Sequence, residues 1–458
     1  MKSIEATRVR TLKDAPEQTD GHYVLYWMQS SQRADFNPAL EFALDAANQR
    51  NLPLLVAFGL TDGYPEANAR HYAFMLQGLA EVRRRLLARG ISFVIRQGDP
   101  DAVALQLSQN AALVVCDAGY LRVPRLWRRR LADGLDCKLI RVEGDVVAPI
   151  AQVSNKHEYA ARTIRPRIQR IMDPYITPLQ AQPVARPGDL GLPSDIDLEN
   201  VAAEVSRLRL DHSCPPVVRF KGGEGEARAR LASFLVCGLA SYGAARGKPE
   251  AKAVSYLSPY LHFGQISPVE IALAVRDSGV GPEDSRDTYL EELIVRRELA
   301  INHVWWAPDY DQYEGLPAWA KATMEAHGAD PRPFLYDYEA FDQAATHDPY
   351  WNAAMTEMKV TGYMHNRLRM YWGKKILQWS ATPQEAFATV LSLNNRYLLD
   401  GRDANSYTNV GWIFGLHDRP WPTQPVFGTV RSMGPNTFKS FNVEAYVAQV
   451  ATLVAAEG

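Results

Sequence analysis

HYVLYWMQSSQRADFNPALEFALDAANQRNLPLLVAFGL (22–60) reads as strand, helix, strand. HYVLYWM (22–28) is a short, bulky apolar run, and LPLLVAFGL (52–60) is apolar nearly throughout, as strands buried on both faces are. Between them Asn37 is suited to cap a helix, with Pro38 in its first turn, and that helix runs to about Gln49. The pattern repeats downstream. Residues 68–89 carry Phe74, Leu76, Leu79, Val82 and Leu86 at helical spacing. ISFVIRQ (91–97), ALVVCDA (112–118) and CKLIRVEG (137–144) are three further strand-like runs, with a helix opened by GDP and an Arg-rich helix between them. Strands alternating with helices predict a parallel sheet and a Rossmann-like α/β domain at about 20–150. After the first strand, YWMQSSQRADFN stands where a GxGxxG fingerprint would be, and no GxxxxGK[ST] occurs, so neither a standard NAD-binding domain nor a P-loop is expected.

The rest of the chain is organised differently. Residues 174–219 are rich in Pro and polar side chains, which marks 151–221 as a long linker. From about Glu224 the periodicity is helical, with helices expected over 224–241, 268–278, 286–305, 315–327, 338–345, 349–359, 361–378, 383–393 and 442–455. The fold class is therefore α/β plus all-α, the helical domain occupying 222–458. In all, 458 residues allow two to four domains at roughly 150 each. With 47% hydrophobic and 22% charged residues, a disordered chain is excluded. Lys plus Arg is 50 and Asp plus Glu 52, so the protein is not basic overall; any nucleic-acid surface must be local. No apolar run is long enough for a membrane span, and the N-terminus lacks the apolar core of a secretory signal. Cys116, Cys137, Cys214 and Cys237 form no CxxC pair, which fits a reducing, intracellular compartment and indicates no metal site.

The densest chemical signal is 349–421. Trp351, Trp372 and Trp379 are 21 and 7 residues apart, and the seven-residue step puts Trp372 and Trp379 on one helix face. Such rings either pack a core or pass electrons from a redox centre. Lys359, Arg367, Arg369, Lys374 and Lys375 interleave with Tyr363, Tyr371 and Trp372 with no acid among them, a pattern suited to nucleic acid or to a solvated helix face. KHEYAARTIRPRIQR (156–170), a second basic cluster with five Lys or Arg against one Glu, suits nucleic acid or, equally, an interdomain clamp. LLDGRDANSYTNVGWIFG (398–415) reads as a ligand loop, in which Asp400 can pair with Arg369. Ser255 and Ser258 precede an apolar segment, where hydroxyls cap a helix or hold phosphate. Glu292 and Arg296 form an i,i+4 pair; a Glu there can also hydrogen-bond a base, donating to a carbonyl if protonated or accepting from an imide N–H if ionised.

Taken together, SNKHEYAARTIRP (154–166), SYGAARGKP (241–249), LSPYLHFGQIS (257–267), EELIVRREL (291–299), THDPYWNA (346–353), GYMHNRLRMYWGKKILQW (362–379) and LNNRYLLDGRDANSYTNVGWIFGLHDRPW (393–421) resemble the class II cyclobutane pyrimidine dimer photolyases of the cryptochrome/photolyase superfamily. The resemblance runs from about Tyr26 to Tyr446. It implies an N-terminal antenna domain and a helical domain holding FAD. It also implies a reaction: light-excited reduced FAD, as the anionic hydroquinone, gives an electron to a dimer flipped out of DNA, the ring splits, and the electron returns.

By the same resemblance, Tyr242 and Val254, Ser255, Tyr256, Leu257 and Ser258 hold FAD, with Asp403 and Asn405 also on its side. Arg369 and Asp400 pair beside the isoalloxazine, and Asn394 faces N5, with Asn405 as the alternative. Trp372, Trp351 and Trp379 photoreduce it, Trp372 being proximal. Glu292 contacts the dimer, Arg246, Met370 and Trp412 line its pocket, and Arg419, Trp421 and Arg431 contact DNA. Arg296 occupies a position often Trp in photolyases. The implied partner is double-stranded DNA carrying cyclobutane dimers, met in the cytoplasm or nucleoid by a monomer needing no protein partner or membrane. A second chromophore is expected in the α/β domain, a deazaflavin in preference to a folate. The alternatives are a cryptochrome-like photoreceptor without repair, disfavoured by the retained lesion-pocket residues, and a (6-4) photoproduct lyase, whose active-site histidines His262, His303 and His365 would have to supply.

Overall fold

The apolar runs become the centre of one sheet. A computed structural model describes residues 4–16 and 18–457. Its sheet has six strands in the order β1-β6-β5-β2-β3-β4. They are β1 Val9–Lys13, β2 Tyr23–Trp27, β3 Leu54–Leu60, β4 Ser92–Gln97, β5 Ala111–Asp117 and β6 Leu139–Val142. All neighbours pair in parallel except β1, which runs antiparallel to β6. Every residue of β2, β3 and β5 is buried, which is why their sequences are apolar on both faces. VRTLK (9–13) has no such run, and β1 lies ahead of the alternation that the sequence displays.

The chain order decides where a ligand fits. From β2 the chain builds outward through β3 and β4, then returns to the other side of β2 for β5 and β6. The carboxyl ends of β2 and β5 therefore flank a switch point, the place where open α/β sheets leave a crevice.

The Pro-rich connection is tied down rather than slack. The 151–221 stretch contains the helices Ala161–Ile171 and Val201–Arg207. It also runs along the outer edge of β4, where Asp195 N–H donates to Ile95 O (2.9 Å), Ile95 N–H to Ser194 Oγ (3.1 Å) and Gln97 N–H to Asp195 Oδ2 (3.1 Å).

The remainder is helical, with three departures from the expected pattern. Residues 283–306 form a single helical run, but Glu291–Arg296 within it are a π-helix. The stretch 398–415, read as a loop, contains the helix Ala404–Ile413, capped by the Asp403 carboxylate on Asn405 N–H (2.8 Å). The expected 361–378 helix starts late, at Asn366. Gly362 at φ +70° ends the preceding helix, and His365 Nδ1 caps the new one.

Buried arginines join the halves, Arg33 and Arg70 among them. Arg33, wholly buried, donates to Asp145 Oδ1 (2.6 Å), Gly144 O (2.9 Å) and Phe36 O (3.1 Å), and across to Gly264 O (2.9 Å). Gly264, at φ +65°, lies so close to the loop after β2 that a Cβ would sit 1.9 Å from Ser30 O. Arg70, on the helix Ala69–Ala88, donates to Tyr397 O and Lys359 O, both at 2.7 Å.

Candidate functional site

Helix Asn366–Trp379 carries the core of the site. Arg369 Nη2 bonds Asp400 Oδ2 at 3.0 Å, and its Nε bonds Met364 O at 2.8 Å. Both side chains are largely buried. Arg369, Met370, Trp372 and Asn394 line one small cavity with Asn409 and Ile413. Asn394 Nδ2 donates to Asn395 Oδ1 (3.0 Å) and to Ser406 Oγ. The Trp372 indole N–H and Asp400 Oδ1 are buried and find no hydrogen-bond partner among the described residues. Trp372 lines the cavity, so its N–H is an unpaired donor beside it, able to meet a polar ligand atom; Asp400 is not on that wall. Asn405 instead bonds Asp403 Oδ1.

The three tryptophans meet. Trp351, on helix Pro349–Thr361, stacks on Trp372 (6.4 Å between centroids, 13° between planes) and meets Trp379 edge-on at 6.2 Å. The spatial order is therefore Trp372, Trp351, Trp379. Trp379 touches the His347 ring at 4.8 Å, and that ring stacks on the exposed Phe334 at 3.5 Å.

Tyr242 is buried between the Phe234 and Tyr289 rings, and the Tyr289 hydroxyl donates to Ser255 Oγ (3.1 Å). Leu257 is buried; Val254, Ser255, Tyr256 and Ser258 are half-buried. Tyr256 sits at φ +55°, a left-handed conformation uncommon for a tyrosine, under the Arg219 guanidinium at 5.1 Å. Strain of this kind concentrates at ligand clamps.

Glu292 pairs with Arg246 at 2.7 Å, both side chains partly exposed. The expected Glu292–Arg296 pair is absent. In a π-helix the facing residue is i+5, so Arg296 meets Glu291 instead, at 3.3 Å. Arg165 also binds Glu291 (2.7 Å), so the 156–170 cluster acts as a clamp on this turn.

Trp412, Arg431, Trp421 and Arg419 form an alternating stack of rings and guanidiniums. Arg431 lies 5.5 Å from Trp412 and 4.0 Å from Trp421, and Arg419 lies 5.5 Å from Trp421. Asp418, not singled out by the sequence reading, is its hub. It pairs with Arg431 (3.0 Å) and accepts from the Trp421 indole (3.2 Å). The signal was present as the acid directly before Arg419.

The basic run 359–375 makes specific contacts within the protein, with Lys374 and Lys375 buried and Lys359, Arg367 and Arg369 half-buried. Lys359 binds Asp342, Arg367 binds Ser440, Lys375 binds Gln378, and Lys374 is fully buried against Ile413 O with Trp412 at 5.0 Å. Burial pushes the Lys374 ammonium down to about 7, with Asp418 opposing and Arg431 reinforcing the shift. Its folded value lies below the ordinary 10.5, so the unfolded chain binds the extra proton between the two and native stability gains as pH rises through that window. Lys374→Met removes this gain. Relative to the variant, the wild type should gain on the order of 4 kcal/mol between pH 7 and pH 10, read from urea midpoints.

A second, larger space opens at the switch point. A cleft of about 1130 Å³, open to solvent, lies beyond β2 and β5, lined by Gln29, Gly119 and Tyr120 from the loops there, and by Tyr64 and Trp127. Asp403 and His262, bonded at 3.3 Å, line this cleft rather than the Asn394 cavity.

The profile of the family described as DNA photolyase matches residues 24–185. The deoxyribodipyrimidine photo-lyase of Methanothermobacter thermautotrophicus is 41% identical over 98% of this chain and 99% of its own length. That of Arabidopsis thaliana is 36% identical over 99% and 94%. Among solved structures, a bacterial class III photolyase from Agrobacterium tumefaciens shares the fold, with a TM-score of 0.71 at 21% identity over 97% of this chain and 88% of that one. Matched from end to end by named photo-lyases, and along its sheet by the family profile, a chain of this two-part fold belongs to the DNA photolyase family.

Proposed function

We propose that this protein repairs cyclobutane pyrimidine dimers in double-stranded DNA under blue light. The observation that carries this is the cavity shared by Arg369, Met370, Trp372 and Asn394, joined through Trp372 to a tryptophan stack and through Ile413 and Lys374 to the Trp412–Arg431–Trp421–Arg419 array. The donor set fits the FAD that the family implies. The Arg369–Asp400 pair, the Asn394 amide and the orphaned Trp372 N–H are the groups to hold a polar ring edge. Tyr242 and the 254–258 turn bind the remainder. When bound in reduced form, FAD supplies the light-excited electron that opens the cyclobutane ring and is recovered afterwards.

The chain's own residues bind and orient the lesion. The Glu292–Arg246 pair is partly exposed, so opening it costs about 0–1 kcal/mol and frees the carboxylate for a base edge. Met370 and Trp412 pack the flipped dimer. Arg419, Trp421 and Arg431 fill the gap in the duplex, which flipping a damaged base leaves at reduced cost. The switch-point cleft takes the antenna chromophore, its aromatic lining suiting a flat ring system such as a deazaflavin. Among the described residues no helix is long and apolar enough to cross a membrane. In this reading the protein acts as a monomer on intracellular DNA. The functional division is 20–150 for the antenna, 151–221 for the linker and 222–458 for catalysis.

The test is a duplex oligonucleotide with one thymine dimer, incubated with reduced protein in blue light and in darkness. Dimer loss in light alone is expected; a flavin that photoreduces while the dimer persists would overturn the reading. Glu292→Gln should lower repair at least about tenfold, as expected from losing a charge-assisted hydrogen bond worth roughly 1.5–3 kcal/mol.

A further inference from the structure

Three imidazoles from three distant segments converge beside the Asp418 hub. His157 lies in the 154–160 loop, buried His303 on helix Arg297–Trp306, and His417 directly before Asp418. Their ring centroids are 5.0, 5.5 and 5.9 Å apart. One ring nitrogen from each lies within 4.8 Å of the others. We propose that His157, His303 and His417 form a three-histidine site for a divalent zinc-type cation, which fastens the linker loop and the helix to the segment bearing Asp418, Arg419 and Trp421.

The hydrogen bonds already favour ligation. His417 Nδ1–H donates to Tyr159 O at 2.7 Å, which leaves Nε2 as the unprotonated nitrogen. That Nε2 is buried and has no hydrogen-bond partner among the described residues. A carbonyl that fixes the tautomer while the opposite nitrogen binds is the usual outer shell of a metal-bound histidine. His303 Nδ1 and His157 Nε2 lie 3.1 Å apart, so one of them is an acceptor and carries no proton. Zinc–nitrogen bonds of about 2.0–2.1 Å in tetrahedral geometry place ligand nitrogens roughly 3.3 Å apart. The His303–His157 pair, at 3.1 Å, is close to that distance, and the remaining separations, all within 4.8 Å, close by at most about 1.5 Å. Asn302, next to His303, anchors that loop by accepting from Glu158 N–H (2.7 Å) and donating to Lys156 O (3.0 Å). His417 itself is held at φ +56°, a conformation that aims its ring into the cluster at a backbone cost. The fourth position is left to water on the His157 side. No spacing rule could have found the site, since His157 and His303 are 146 residues apart.

The test uses untagged full-length protein freed of metal by chelation, so its outcome is independent of repair activity. Cobalt(II) titration should give one equivalent bound, with tetrahedral d–d bands that zinc displaces. Zinc should raise the melting temperature. In His157→Gln, which changes an exposed side chain, the bands should vanish, the melting shift should be lost, and zinc affinity should fall at least about tenfold, a loss that even an outer-shell change can bring. His303→Gln should do the same. Absence of the bands in the wild type overturns the proposal. So does binding that survives both substitutions, as it would at the exposed Cys237.

Discussion

Replacing Trp372 with phenylalanine is expected to abolish light-driven reduction of the flavin, while chemically reduced protein, still able to hold flavin through Arg369, Asp400 and Asn394, keeps repairing dimers at a rate lowered only by the lost indole N–H. The ring lines the cavity with Arg369 and Asn394 and stacks on Trp351, so it is the only tryptophan of the three on that cavity wall. A phenyl ring keeps the packing but is much harder to oxidise than an indole. The substitution also spares the neighbouring contact, because the Trp351 indole donates to the backbone carbonyl of residue 372 (3.0 Å), not to its side chain. Blue-light bleaching of the oxidised flavin in the presence of an external thiol measures the first effect. Dimer repair after dithionite reduction measures the second. Wild-type photoreduction in the variant would remove Trp372 from the electron path.

Arg33→Met is expected to cost about 3–5 kcal/mol of stability, the usual penalty for stranding one member of a buried ion pair. Asp145 would keep only its Ser31 hydroxyl (2.8 Å), and Gly144 O and Gly264 O would each lose a donor. The double variant Arg33→Met/Asp145→Leu should lose clearly less than the sum of its single substitutions, since no uncompensated charge remains. Chemical denaturation of the four proteins gives the cycle. Strict additivity would show that the pair does not act as a unit.

What the sequence disclosed follows from where its signals are local. β2 to β6 were legible because strands buried on both faces need continuous apolar runs, and the helices because their apolar faces recur every three to four residues. β1 was not, since a strand at the margin of a sheet needs little apolar sequence. The helix Ala404–Ile413 was hidden by its Gly and Asn content, poor helix formers overruled by packing and by the Asp403 cap. The Arg369–Asp400 pair and the tryptophan trio could be inferred from motif and spacing. The Glu292–Arg296 pairing failed because no composition rule announces a π turn, and one extra residue per turn changes every partner. The burial of Lys374 and Lys375 was not legible for a related reason: charge runs are read as solvated by default, whereas here each cation has a specific partner.

The two margins of the sheet have a consequence for solubility. A parallel sheet ends in rows of free amides and carbonyls that can recruit strands from other molecules. Here one margin is taken by β1, which runs in the opposite direction and carries Arg10 and Lys13, and the other by the Ser194–Asp195 stretch of the connection between the halves. The connection thus acts as a guard against aggregation as well as a tether. Shortening it, or starting the chain at the first of the alternating strands, would bare a template for self-association while leaving every residue of the proposed repair site in place.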